Sequence, residues 1–174
     1  MRQTQLVFLL VAAVCSFPIA AQAQTRSALL PSTVPLEVEL LEPDRSLLRN
    51  DVVTADTISR TQPTVPSLWW AKEQFDPFSG KLIGNWIAYP NENRVDLVVN
   101  RQLWTLLDYI DRYSFVNQFG TVARGYGYNI RVFNPQQSLL AAYTCNFDIA
   151  QPDCSIWVES SEQDSLRVGS RARF

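Results

Sequence analysis

Arg94-Val95-Asp96-Leu97-Val98-Val99-Asn100 is the stretch on which the fold turns. Val95, Leu97 and Val99 fall on one face and Asp96 and Val98 on the other, the period-two pattern of a strand. The period then changes. Asn100 is a good N-cap, because its side-chain oxygen can take up a free amide of a first helical turn. From Arg101 to Arg124 the apolar residues are Leu103, Leu106, Leu107, Ile110, Tyr113, Val116, Phe119 and Val122. Spacings of three and four place them on a continuous helical stripe. Asp108 and Arg112 form an i,i+4 pair in the favourable orientation. Three-residue steps after Ile110 make the stripe drift, which allows a kink or two consecutive helices near Ser114, and Gly120 supports a break. Gly125-Tyr126-Gly127 supplies residues that tolerate positive φ and ends the helical run.

Working outward from this unit, Leu82 to Tyr89 reads as a strand joined to it by the turn Pro90-Asn91-Glu92-Asn93. Before it, Ser67 can cap a short helix, Leu68 to Phe75, with a loop through Asp76-Pro77 and Ser79-Gly80. After the helical run come a strand from Tyr128 to Phe133, a turn at Asn134-Pro135-Gln136-Gln137, a returning strand from Leu139 to Cys145 and a last strand from Ser155 to Val158. The order is β-β-α-β-β(-β). Hairpins on both sides of one long helix predict an α+β domain, an antiparallel sheet with the helix packed on one face.

The ends of the chain have a different character. Arg2 opens a short basic start, and Leu6 to Ala20 is apolar, with Pro18 as a helix breaker. Ala21-Gln22-Ala23 then offers small residues where a signal peptidase reads them. The apolar run of about 15 residues is short of the ~20 that a spanning helix needs. Residues 1–23 therefore read as a signal peptide cut after Ala23, with a retained membrane anchor as the alternative. Residues 24–65 hold Pro31, Pro35, Pro43, Pro63 and Pro66 within or beside them and read as a mostly disordered tether. Within it Val34 to Leu41 alternates like a strand, which Pro35 confines to a sheet edge. The folded domain is expected over 66–159, and 160–174 as a frayed tail. The terminal Phe174 is reminiscent of outer-membrane barrels, but a barrel needs at least eight strands of about ten alternating residues, which the helical run at 101–124 contradicts.

Composition bounds the chemistry. Removing 23 of the 174 residues leaves 151, a length suited to one domain. The formal net charge of −2 becomes about −3 once Arg2 leaves, so there is no basic footprint for nucleic acid. His is absent, which removes Ser-His-Asp and Cys-His catalysis and every imidazole metal site. Acid–base work would fall to carboxylates, Lys or Tyr. Of the three Cys, Cys15 leaves with the signal. Cys145 and Cys154 form an even pair in an exported chain and read as a disulfide. They lack the C-x-x-C spacing of a redox pair.

Other candidates are weak. Asp108 and Asp111 lie three apart on one helix face, at a separation that two-carboxylate glycoside hydrolysis could use, but beside Arg112 they read as a solvated face. Gly125-x-Gly127 ends a helix and lacks a third Gly, so it is no dinucleotide loop. Arg124 and Arg131 flank it and could meet an anion, though ion-paired Arg is the ordinary reading. Trp86 and Trp104 are expected in the core. Trp69-Trp70 stands out. Neighbouring helix positions diverge by about 100°, so one ring can pack inward while the other faces a partner or a sugar ring; the ordinary reading is that both rings pack as a lid over an open edge of the core.

The run Pro66-Ser67-Leu68-Trp69-Trp70-Ala71-Lys72-Glu73-Gln74-Phe75, with Asn85-Trp86, residues 94–100, Trp104, Phe119-Gly120 and Tyr126-Gly127-Tyr128-Asn129-Ile130-Arg131-Val132-Phe133, resembles a group of small exported proteins of cyanobacteria that carry no assigned activity. The resemblance covers roughly residues 66–147. It implies an exported location in a photosynthetic bacterium, and it supplies no catalytic, cofactor-binding or metal-binding residues.

These readings converge on an exported, non-enzymatic domain that docks on a protein partner or on an envelope or thylakoid assembly. Trp69 and Trp70 are the candidate contact residues. No cofactor, metal or nucleic acid is expected, and no transmembrane segment in the mature chain. Periplasm and thylakoid lumen use the same kind of signal. The rival from another class is a carboxylate-based hydrolase or a carbohydrate-binding module of the cell envelope. Clustered carboxylates in a concave pocket would favour the rival, and an exposed apolar patch with Trp would favour docking.

Overall fold

The computed structural model describes residues 29–42, 49–55 and 68–159. The signal segment with its cleavage site at Ala23, the tail 160–174 and the rest of 24–65 lie outside the described residues. Among the described residues six strands form one mixed sheet whose spatial order follows the chain: β1 (Val53–Thr54), β2 (Ile83–Tyr89), β3 (Arg94–Val99), β4 (Asn129–Phe133), β5 (Leu139–Asn146) and β6 (Asp153–Val158). Three α-helices among these residues, α1 (Leu68–Phe75), α2 (Arg101–Leu106) and α3 (Tyr109–Gly125), complete an α+β domain.

The expected antiparallel sheet needs one correction. β3 and β4 run parallel, from Arg94 opposite Asn129 to Val98 opposite Phe133, while every other neighbouring pair is antiparallel. All six residues of β3 are buried, so β3 cannot serve as an edge. A chain leaving its far end can lay a parallel strand beside it only through a crossover of a dozen or more residues. The helical segment after Asn100 supplies that crossover.

That segment is two helices, and the break falls upstream of Ser114, at Leu107-Asp108. Leu107 is extended (φ −78°, ψ 134°), and the Asp108 carboxylate accepts from the Asp111 amide at 2.8 Å. Asp108 acts as an N-cap and starts a new helix. Asn100 caps α2 as expected, accepting from Gln102 and Leu103 amides at 2.9 and 3.2 Å. Gly120 breaks nothing. It is buried within α3, where a β-carbon would lie 2.1 Å from Tyr143 Cγ on β5.

The sheet is covered on both faces. Val95, Leu97 and Val99 face the helices, packing with Trp86, Trp104, Phe115, Val116, Phe119, Ile130 and Val132. The same side takes Leu68 and Ala71 of α1. Among the described residues no helix is long and apolar enough to cross a membrane.

The opposite face holds a surprise from the expected tether. Residues 29–42 lie across it as a strap. Leu36, Leu40 and Val52 are buried in a second cluster with Ile87, Tyr89, Val98 and Phe133. Val34 to Leu41 forms no strand. It is extended and then makes one 3₁₀ turn, Val38–Leu41. The edge position beside β2 goes instead to β1, with Val53 opposite Ala88 and Thr54 opposite Ile87. Alternation alone cannot separate an edge strand from a segment that packs side chains onto a sheet face without joining its ladder.

At the other end of the sheet, Cys145 and Cys154 sit directly opposite one another on β5 and β6 and are disulfide-bonded, with Cα atoms 4.0 Å apart.

Candidate functional site

α1 is held to the core by Leu68 and Ala71, which are 1% and 0% exposed. Those two positions fix the helix rotation and turn Trp69 and Trp70 away from the core. The rings are 48% and 51% exposed. Trp69 meets Trp86 edge-on at 6.4 Å and lies beneath the Lys72 ammonium at 5.4 Å. Trp70 leans on Phe75 at 5.7 Å. Neither ring is fully packed; each stays about half exposed. Trp86 and Trp104 are buried as expected.

The helical layer exposes more apolar surface than the sequence pattern indicates. Leu106, Ile110 and Tyr113 belong to the stripe assigned to the core, yet they are 71%, 68% and 43% exposed, and Tyr109 is exposed beside them. Leu106 ends α2, whose buried position is Trp104; for Ile110 and Tyr113 the cause is the break at Asp108. It re-phases α3, whose buried positions become Phe115, Val116, Phe119, Gly120 and Ala123. The spacing Phe115, Phe119, Ala123 carried the correct stripe, and the cap motif Asp108-x-x-Asp111 was the signal that two stripes were present. Trp157 on β6, 42% exposed, is another surface ring that sequence reasoning passed over.

The candidate carboxylates have structural work. Asp108 caps α3. Asp76, buried, accepts from the amides of Phe78 and Ile83 at 2.8 and 3.0 Å and shapes the loop into β2. Arg124 and Arg131 are not brought together at Gly125-x-Gly127: Arg124 is exposed at the end of α3, and Arg131 is buried on β4. Among the described residues no group of three His, Cys, Asp or Glu side chains could hold a metal ion.

Arg131 belongs to a buried charge cluster on the strap side of the sheet. In the parallel register Asp96 lies opposite Arg131. Arg131 donates to both Asp96 oxygens, Nε to Oδ1 at 2.8 Å and Nη2 to Oδ2 at 2.7 Å. Arg94 donates to the same carboxylate and also reaches Glu92 through Nε at 3.1 Å and Nη2 at 2.8 Å. Asp96 is 0% exposed and Arg131 2%. Such charges are tolerated inside only when paired and hydrogen-bonded. Burial works against the Arg94 cation, but Asp96 and Glu92 outweigh it and raise its pKa above the usual arginine value.

The remaining nitrogen of Arg131, Nη1, donates to the strap carbonyls of Ser32, at 2.9 Å, and Val34. Arg94 stacks over Tyr89 at 4.0 Å. The Tyr89 hydroxyl is buried and has no hydrogen bond of normal length, although Glu37 lies close enough to influence it. Burial first, then the negative charges of Asp96 and Glu37, raise its pKa well above that of free tyrosine. A cleft of about 200 Å³ remains where the strap crosses β4 and β5, lined by residues that include Ser32, Val34, Arg131, Phe133 and Leu139. No protein-family model, curated protein or solved structure matches the chain.

Proposed function

We propose that the chain is an exported, non-enzymatic domain that docks on a protein partner in the periplasm or thylakoid lumen of a photosynthetic bacterium. One observation carries the reading. Trp69 and Trp70 are both about half exposed on a helix whose other side is locked into the core. Trp is the residue most enriched among interface hot spots, because it buries a large rigid surface at low entropic cost. The exposed side chains Leu106, Tyr109, Ile110 and Tyr113 at the α2–α3 junction add apolar surface on the helical layer. The disulfide suits an oxidising compartment.

The deciding experiment replaces Trp70 by alanine in the tagged full chain. Capture from envelope and thylakoid fractions is compared with the melting temperature. A hot spot costs at least ~2 kcal/mol on truncation, about thirtyfold in affinity. Loss of the partner at an unchanged melting temperature supports docking. Retained capture, or a loss explained by unfolding, removes the reading's support. Capture on immobilised polysaccharide would replace the protein partner by a sugar. Export is checked separately by N-terminal mass analysis, which should find Gln24 first.

A further inference from the structure

We infer that residues 29–42 are a detachable strap on the sheet face opposite the helices and that Arg131 is its latch. The inference is independent of the Trp69-Trp70 reading and concerns the other face of the sheet.

The argument rests on how unequally the two faces are closed. The helices seal theirs through one continuous apolar core. The strap touches its face at separate points. Ser155 Oγ donates to the Leu29 carbonyl at 2.9 Å, Arg131 Nη1 donates to Ser32 and Val34, and Leu36 and Leu40 insert among Ile87, Tyr89, Val98 and Phe133. Between the contacts of Leu29 and Leu36, residues Ser32, Thr33, Val34 and Pro35 are exposed apart from the two carbonyls that Arg131 holds, and the cleft of about 200 Å³ lies between them and the strands. The Glu37–Arg49 ion pair at 3.2 Å, which ties the strap to residues 49–55, is partly exposed and adds little.

The charge cluster adds little to the cost of opening, which falls mainly on exposing Leu36, Leu40 and the apolar residues beneath them. Asp96 on β3 holds two nitrogens of Arg131 on β4 within the sheet itself. When the strap leaves, that forked pair stays intact, and only Nη1 exchanges two carbonyls for water. No unpaired charge is left in the interior, which is the usual obstacle to opening a buried ion cluster. Asp96 is therefore a positioning residue. It aims one edge of the guanidinium outward, ready to take main-chain carbonyls two residues apart. Together with the apolar side chains beside it, that edge fits an extended segment, and residues 29–42 are the occupant.

Adjacent valines give the test. Val98 points under the strap and Val99 into the helical core, and both are buried. Val98→Cys and Val99→Cys are each made in the full chain, with the native disulfide intact, and labelled with a small thiol reagent. Sub-global opening of the strap predicts that Cys at 98 reacts about tenfold faster or more than Cys at 99. Arg131→Lys, which cannot fork onto Asp96 and reach the strap at once, should accelerate labelling at 98 further and leave the ratio at 99 to the global stability unchanged. Ser155→Ala removes only the bond to Leu29 and should accelerate position 98 a few-fold, which keeps the test decisive where Arg131→Lys does not fold. Equal labelling at 98 and 99, or no response of position 98 to Ser155→Ala, would overturn the inference, because the strap would then open only with the whole domain.

Discussion

Gly120→Ala separates two physical effects of opposite sign. In an exposed helix interior the change is stabilising by about 1 kcal/mol, because glycine carries more backbone entropy to lose. At residue 120 the new methyl would stand 2.1 Å from Tyr143 Cγ, 2.2 Å from Cδ2 and 2.7 Å from Cβ. Carbon atoms pack at about 3.5–4.0 Å. Rotating the Tyr143 ring relieves the first two contacts but not the third, since Cβ is fixed to the β5 backbone. α3 must therefore lift from the sheet by roughly 1 Å, loosening Phe115, Val116, Phe119 and Ala123 together. Overpacking costs about 1–3 kcal/mol in ordinary cores, and this approach belongs at the upper end. After the propensity gain the net loss is about 2 kcal/mol, or roughly 8 °C in melting temperature for a domain of this size. Urea unfolding followed by Trp fluorescence reads it as a lower midpoint at unchanged slope. In a Tyr143→Ala background the same substitution should cost less, since only the 2.7 Å contact remains. A Gly120→Ala protein that melts at or above the parent would refute the close approach of α3 to β5.

Three further outcomes follow from the structure. Tyr89 has a raised pKa in the folded state, so its contribution is intact below the unfolded value of about 10 and is lost as pH rises beyond it; Tyr89→Phe should resist unfolding near pH ~11 better than the parent, with a difference within about 1 kcal/mol at pH 7, as read by pH-dependent denaturation. Replacing Cys145 and Cys154 by serine opens a loop with a sequence separation of 9 and should cost about 2.5 kcal/mol in the chain-entropy treatment, and non-reducing peptide mapping of the parent should find the linked peptide. Asp108→Ala removes the cap at the helix break and should cost about 1 kcal/mol, whereas a single continuous helix through residue 108 would be stabilised by the change.

Much of the element order was legible because local rules govern it. The alternation in 94–99, the Asn100 cap, the turns at 90–93 and 134–137 and the helix at 68–75 each stand on a few neighbouring residues. The misread features are long-range. Whether β4 lies parallel to β3 depends on where the crossover lands; the long helical segment between them allows the parallel pair, but the hairpins on either side favoured an all-antiparallel reading. Gly120 looks like a breaker until Tyr143, a distant residue, is placed against it. The strap's proline-rich composition resembles a tether because its apolar anchors, Leu36 and Leu40, are few and their seat is built from β2, β3 and β4. For the candidate site, Trp69 and Trp70 were visible as an unusual pair. The exposed stripe at the α2–α3 junction was hidden by a phase error, since a continuous helix predicts burial for the residues that the break turns outward.

The strap also constrains the order in which the molecule can assemble. Its first described residues precede everything they bind. Arg131 lies 97 and 99 positions after the carbonyls it holds, and Ser155 lies 126 positions after Leu29. A chain emerging from its N-terminus has no complete seat for Leu36 or Leu40 until the crossover has placed β4, with Phe133 and Arg131, beside β3. Closing such large loops is entropically costly and gains nothing until the partner surface exists. The segment made first is thus the last to settle, and until then its leucines and the unsealed sheet face are the parts of the nascent molecule most open to association with other chains.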